Sequence, residues 1–387
     1  MIELLFLLLP VAAAYGYVMG KNSAKNQAHE QNRKITSEYS KGLKFLLDRE
    51  EDQGLEHLIK LLEVSADSVE HYLILATLFR KRGELDRAIR IHELLLKQPS
   101  LDIQVIQSCK LALAEDYIMA GLLDSAEEHL VELVKADYEE ALMPIIQLYS
   151  QTRDWQKGVS MYESHAELFT EQVYCAAIAN FYCEAALEYQ ASENQSTDHF
   201  TDYLERALKL PKTTIRPLYE LGHDALGKED NVKAIYYWRK LVSQFPCAIP
   251  LVLQDLQVCY QRLSIEHEFH ALVNDLLKTS GVLVKIKHCE GLVEAGHAQQ
   301  AVEYLTDSLK REPSIRGFSF LLKLLATKQD KFQSVLNEVD NLVSAYVATK
   351  PDYQCRNCGF TSHKLYWLCP SCKSWESILP SQGVDGY

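Results

Sequence analysis

Residues 69–99 read VEHYLILATLFRKRGELDRAIRIHELLLKQP, and this stretch decides the architecture. Tyr72, Leu75, Ala76 and Phe79 recur at the three- and four-residue steps that put side chains on one face of a helix. Gly83 then supplies a turn, because glycine alone enters the left-handed region without steric cost. Ala88, His92 and Leu95 mark the inner face of a second helix, which Pro99 ends. Ala88 is small where the two helices cross most closely, and a larger side chain there would force them apart.

The same grammar returns at intervals near 34 residues, the period of the tetratricopeptide repeat (TPR). One copy carries Leu113, Ala114, Tyr117, Gly121, Ala126, Leu130 and Leu133; another carries Leu142, Ile145, Ile146, Tyr149, Gly158 and Tyr162. A third has Leu218, Leu221, Gly222, Ala225, Ala234, Trp238 and Leu241, and a fourth Cys289, Leu292, Gly296, Ala301 and Leu305. Weaker copies fall at 35–65, 181–211 and 250–280, and the helices after Arg316 form a cap. The expected fold is all-α, a TPR superhelical solenoid over residues 35–348. Such stacks leave a groove lined by first helices, which suits peptides and protein surfaces. Position within the repeat puts Arg80, Arg216, Tyr219 and His223 on the groove face as candidate partner-binding residues.

Ahead of the repeats, residues 2–20 (IELLFLLLPVAAAYGYVMG) form an apolar run with one early charge, Glu3. That length just suffices for a membrane helix, so residues 1–20 are expected to be a transmembrane anchor. A cleaved secretory signal is the alternative, but no Lys or Arg precedes the run. Lys21, Lys25, Arg33 and Lys34 follow it in a basic juxtamembrane linker, 21–34, which places the rest of the chain in the cytoplasm.

The formal net charge of −13 is concentrated in the repeats. Residues 1–34 hold four Lys/Arg against two Asp/Glu, and residues 350–387 four against three. An acidic body of this kind argues against nucleic acid as a partner. No glycine-rich phosphate loop, Gly-x-Ser-x-Gly elbow or His-Glu-x-x-His helix occurs, and the chain reads as a non-enzyme. Six of the ten cysteines (Cys109, Cys175, Cys183, Cys247, Cys259, Cys289) are scattered through helical text and read as small buried hydrophobes.

The other four stand in two pairs, Cys355-Arg-Asn-Cys358 and Cys369-Pro-Ser-Cys372, ten residues apart. Each Cys-x-x-Cys knuckle aims two sulfurs at one ion, and two knuckles complete a four-thiolate shell. Residues 349–387 are therefore expected to be a small metal ribbon, with zinc favoured and iron open. A module this short cannot bury enough apolar area alone, so the metal must supply much of its folding energy. The short Thr349-Lys350-Pro351 linker favours a ribbon packed back on the repeats.

The first knuckle, CRNCGF, resembles rubredoxin, whose second knuckle usually ends in glycine; here Lys373 follows Cys372, which counts against a redox role. The opening MIELLFLLLPVAAAYGYVMG, the segment LFRKRGELDRAIRIH and the close YQCRNCGFTSHKLYWLCPSCKSWESI together resemble the lipopolysaccharide assembly protein B family of Gram-negative bacteria. The resemblance implies an inner-membrane protein facing the cytoplasm that tunes lipopolysaccharide synthesis. It implies an adaptor that presents the committed-step lipid A deacetylase to the membrane protease FtsH. It also implies links to an inner-membrane lipopolysaccharide sensor and to biosynthetic enzymes, for which the chain is a scaffold. Its ligand positions fall on Cys355, Cys358, Cys369 and Cys372. The competing class is an iron-dependent redox or metal-sensing protein.

Overall fold

A computed structural model describes residues 69–98, 101–191, 197–279, 281–326 and 333–387, with isolated positions before residue 45. The expected anchor and linker and the weak copy at 35–65 lie almost wholly outside these residues. Among the described residues no helix is long and apolar enough to cross a membrane.

Sixteen α-helices follow one another in hairpins before a small sheet closes the described chain. They are α1 (Val69–Lys81), α2 (Leu85–Leu96), α3 (Ile103–Ala120), α4 (Leu123–Lys135), α5 (Leu142–Thr152) and α6 (Trp155–Ser164). Next come α7 (Gln172–Ala191), α8 (Thr197–Ala207), α9 (Ile215–Gly227), α10 (Asn231–Gln244), α11 (Leu253–Arg262) and α12 (Glu266–Leu276). The last are α13 (Val282–Glu294), α14 (Ala298–Arg311), α15 (Ile315–Ala326) and α16 (Gln333–Ala348). The architecture is a mostly helical, TPR-like array. The chain forms two compact units that divide between Leu148 and Tyr149.

The residues that set the repeat grammar are the ones that pack. In the first unit Tyr72, Leu75, Ala76, Phe79, Ala88 and Leu95 are all buried, and Ala88 is wholly so. Gly83, Gly121 and Gly296 take φ of 81°, 79° and 83°, as turns between paired helices require. Four other turns use the same left-handed conformation without glycine, at Asp137, Arg153, Glu229 and Ser264. The turn between α5 and α6 is made by Arg153; Gly158 sits five residues on, inside α6, where its missing side chain admits the Phe181 ring. The weak copy expected at 181–211 starts earlier, because α7 runs from Gln172 as one helix of 20 residues.

Small residues at crossings are tightly determined. A Cβ at Gly222 would lie 2.1 Å from Nε1 of Trp238, which is itself wholly buried. Gly222→Ala should therefore destabilise the second unit by about 2 kcal/mol, an overpacking cost readable by urea denaturation.

Within the first unit a buried polar network ties α1, α2 and α3. His92 and Asp116 are both fully buried, with Nδ1 of one 2.6 Å from Oδ2 of the other. Arg80 Nε lies 3.4 Å from Asp116 Oδ1, and Arg80 Nη1 donates to the Ala112 carbonyl and to Glu115. Arg80, expected on the groove face, is thus engaged by groups of its own chain. Its donors are directed inward because a buried carboxylate must be paired.

After α16 the chain forms three short strands, β1 (Tyr353–Cys355), β2 (Thr361–Ser362) and β3 (Ile378–Pro380), in the order β2-β1-β3 with antiparallel pairing. The pairing puts Cys355 opposite Ile378. The apolar core here is minimal: Cys355, Cys369 and Ile378 are buried, with Tyr353, Phe360 and Leu365 packed around them.

Candidate metal centre and its seat on the repeats

The four cysteine sulfurs converge at the ribbon's tip, all within 4.8 Å of one another. Cys355 Sγ is 3.7 Å from Cys372 Sγ, and Cys358 Sγ is 3.7 Å from Cys369 Sγ. A disulfide requires about 2.05 Å, so neither contact is one. A regular tetrahedron of sulfurs about 2.3 Å from a central ion has edges of about 3.8 Å, and these two spacings match such an edge.

Both knuckles turn in the same way. Gly359 has φ 78° and its N–H donates to the Cys355 carbonyl at 3.0 Å. Lys373 has φ 58° and its N–H donates to the Cys369 carbonyl at 3.0 Å. The lysine adopts the conformation a glycine would take, at a cost of about 1–2 kcal/mol. Its presence therefore leaves the knuckle geometry intact.

The surroundings favour the thiolate at Cys355 and Cys372 and the thiol at Cys369. The backbone N–H groups of Asn357 and Cys358 face Cys355 Sγ, with the Ser377 hydroxyl 3.3 Å away; burial raises this thiol, and the donors lower it further than burial lifts it. The Ser374 hydroxyl beside Cys372 is the main reason its thiol is lowered to about 6. Burial pushes Cys369 up to about 11, against the backbone N–H groups of Cys372 and Ser371. Sulfurs so close together are compatible with thiolate charge only around a cation.

Below the sulfurs, the ribbon is seated on the helices of the second unit. The Trp375 indole lies edge-on to Trp155 and Phe181, with ring centroids 6.0 and 5.9 Å away, and its Nε1–H donates to Ser150 Oγ at 3.1 Å. Glu376 adopts φ 49° and turns its carboxylate onto the start of α9. There it accepts from the backbone N–H of Ile215 and of Arg216, each at 2.9 Å, and from Asn180 Nδ2 at 3.3 Å. Enclosure pushes this carboxyl above the usual range, while the donors and the Arg216 charge oppose the rise. Trp367 and Leu379 pack on the apolar core built by α9 to α13.

Arg216 ties the seat together. It is 3% exposed, donates to Asn180 Oδ1 at 3.0 Å and Glu184 at 2.8 Å, reaches Glu220 at 3.3 Å, and lies 5.5 Å from the Trp367 ring centroid. Tyr219 packs against Trp367 at 5.3 Å, and His223 lies between Tyr219 and Trp238. The sequence placed Arg216, Tyr219 and His223 on a surface open to outside partners. The structure instead buries Arg216 among Asn180, Glu184 and Glu220 of the repeats and places both Arg216 and Tyr219 against Trp367 of the ribbon. Trp155, Asn180, Phe181 and Glu376 were missed. One signal pointed to Asn180 and Phe181: their helix α7 is rich in alanine and buried all round from Cys175 to Cys183, as a helix covered on two faces must be.

A second clamp lies at the end of the chain. Asp352 accepts from Tyr387 Oη at 2.7 Å and from Arg316 Nη2 at 3.0 Å, and the Arg316 guanidinium lies 4.0 Å from the centroid of the Tyr387 ring. Burial would raise the Asp352 carboxyl, but the hydrogen bonds from Tyr387, His363 and Arg316 hold it below its ordinary 3.8. A carboxyl lowered on folding stabilises above its ordinary pKa and loses that contribution as pH falls through the lowered value. Stability of the second unit should thus decline below pH 3.8, and decline less steeply in Asp352→Asn, as acid titrations of thermal unfolding would read.

Fold and site together define a class: a helical-repeat protein that carries a four-cysteine, rubredoxin-like ribbon fastened to its own repeats. Residues 353–380 match the family described as rubredoxin metal binding domain. Lipopolysaccharide assembly protein B of Escherichia coli strain K12 is 34% identical over 100% of both chains. The protein of that name from Haemophilus influenzae is 31% identical over 98% of each. The chain belongs to the lipopolysaccharide assembly protein B family. Among solved structures, a tetratricopeptide repeat protein from Parabacteroides merdae aligns over 72% of this chain and 100% of its own, with 12% identity and a TM-score of 0.33.

Proposed function

We propose that the chain is an inner-membrane adaptor of lipopolysaccharide biosynthesis, anchored by residues 1–20 with its repeats and ribbon in the cytoplasm. In this reading it presents the committed-step lipid A deacetylase to an FtsH-type membrane protease and answers to an inner-membrane lipopolysaccharide sensor. Family membership over the full length supports it, and the ribbon is the observation that carries it. Four ligands leave no open position for a substrate, and the rest of the ribbon is fastened to helices. Such a device holds a surface in place. A membrane anchor would confine the adaptor to two dimensions and raise the effective concentration of a client near the protease.

Depleting the protein and following the deacetylase half-life tests this reading. A lengthened half-life is expected; an unchanged one would leave only a scaffold for biosynthetic enzymes. The metal is proposed to be one structural zinc held by Cys355, Cys358, Cys369 and Cys372, supplying folding energy to the ribbon. Elemental analysis of anaerobically purified protein should give one zinc per chain without visible absorbance. Stoichiometric iron with visible absorbance would support metal sensing instead.

A further inference from the structure

The seat under the ribbon has the construction of a peptide-binding site. Its indole pocket is formed by Trp155, Phe181 and the Ser150 hydroxyl, beside a carboxylate pocket formed by two backbone N–H groups and Asn180. The carboxylate pocket is one the repeats do not fill themselves. Thr214, the N-cap residue of α9, is extended, makes no side-chain cap, and leaves its hydroxyl buried without a partner. Residues in that position ordinarily accept from the first turn of the helix. Here Glu376 takes over the role across 160 residues of sequence.

We propose that this seat is a receptor for segments in which an aromatic side chain is followed directly by a carboxylate, and that Trp375-Glu376 is its resident ligand in cis. A partner protein presenting an aromatic–acidic turn would compete with the ribbon for the same pockets. Asn180 donates to the Ala176 carbonyl and accepts from Arg216, which also donates to Glu184, so these side chains are oriented by contacts within the repeats themselves. The proposal concerns which chemistry the repeats recognise and does not depend on the identity of the client or on the protease.

The test uses a fluorescent peptide of residues 373–380, KSWESILP, and anisotropy titrations with the full-length chain. Receptors are the parent chain and two variants that vacate the seat, Cys369→Ser and the double substitution Trp375→Ala with Glu376→Gln. The peptide should bind at least one vacated chain roughly ten-fold more tightly than it binds the parent. Peptides carrying Trp375→Ala or Glu376→Gln should bind roughly ten-fold more weakly, the loss expected for one charge-assisted contact or one buried aromatic. Absence of binding to vacated chains that keep their helical circular dichroism would overturn the proposal, as would equal binding of all three peptides. Loss of helical signal in both variant chains would also overturn it, since the ribbon would then be part of the array's core.

Discussion

Cys355→Ser combined with Cys358→Ser should lower the melting temperature of the second unit, residues 149–387, as well as abolish metal binding. The ribbon's own core comprises three buried side chains, so without a metal shell it does not hold its fold. Once it loosens, Trp375 leaves Trp155 and Phe181, and the amides of Ile215 and Arg216 lose their acceptor. Each aromatic pair contributes about 0.5–1.5 kcal/mol and each hydrogen bond to a charged group about 1.5–3 kcal/mol. With water replacing part of these contacts, a net loss of about 3 kcal/mol is expected, or about 6–12 °C in a unit of this size. Differential scanning calorimetry reads it directly, and an unchanged melting profile would show that the repeats do not depend on the ribbon.

Arg216→Ala should cost more than any other single substitution in the seat. The guanidinium, 4% exposed as a side chain, faces Glu184, Glu220 and the carboxylate end of Glu376 through Asn180. Removing it leaves carboxylates in a partly buried site without their cation, a loss of about 3–5 kcal/mol. Lysine would not restore the site, because a point charge cannot serve Asn180, Glu184 and Glu220 from one plane. The expected outcome is a large fall in chemical stability for Arg216→Ala, only partial recovery in Arg216→Lys, and metal content retained in both. A loss below about 1 kcal/mol would mean that the network is solvated and weak.

How much of this was legible in the sequence follows the range of the interactions. Glycine turns at Gly83, Gly121 and Gly296 and the small Ala88 act on near neighbours, so the helical hairpins were readable from their spacing. The turns at Asp137, Arg153, Glu229 and Ser264 were not, because a left-handed residue other than glycine has no compositional mark. The metal ligands were readable because coordination fixes their spacing locally. The left-handed conformation of Lys373 was not legible, because it is imposed by the ribbon around it. The seat was hidden because Glu376 and the N-terminus of α9 meet across 160 residues, and no local pattern records such a contact. Of the residues first placed on the groove face, Arg216 and Tyr219 lie against Trp367 of the ribbon, while Arg80 pairs within the first unit.

Amide hydrogen exchange at Ile215 and Arg216 tests the central claim, that a metal-folded ribbon is fastened to the repeats through Glu376. First-turn amides have no intrahelical acceptor, and these two donate to that carboxylate. In the metal-loaded chain both should exchange slowly, and stripping the metal with a chelator should raise their rates by roughly ten-fold or more, as the loss of about 1.4 kcal/mol of protection implies. Equal rates before and after metal removal would contradict the account.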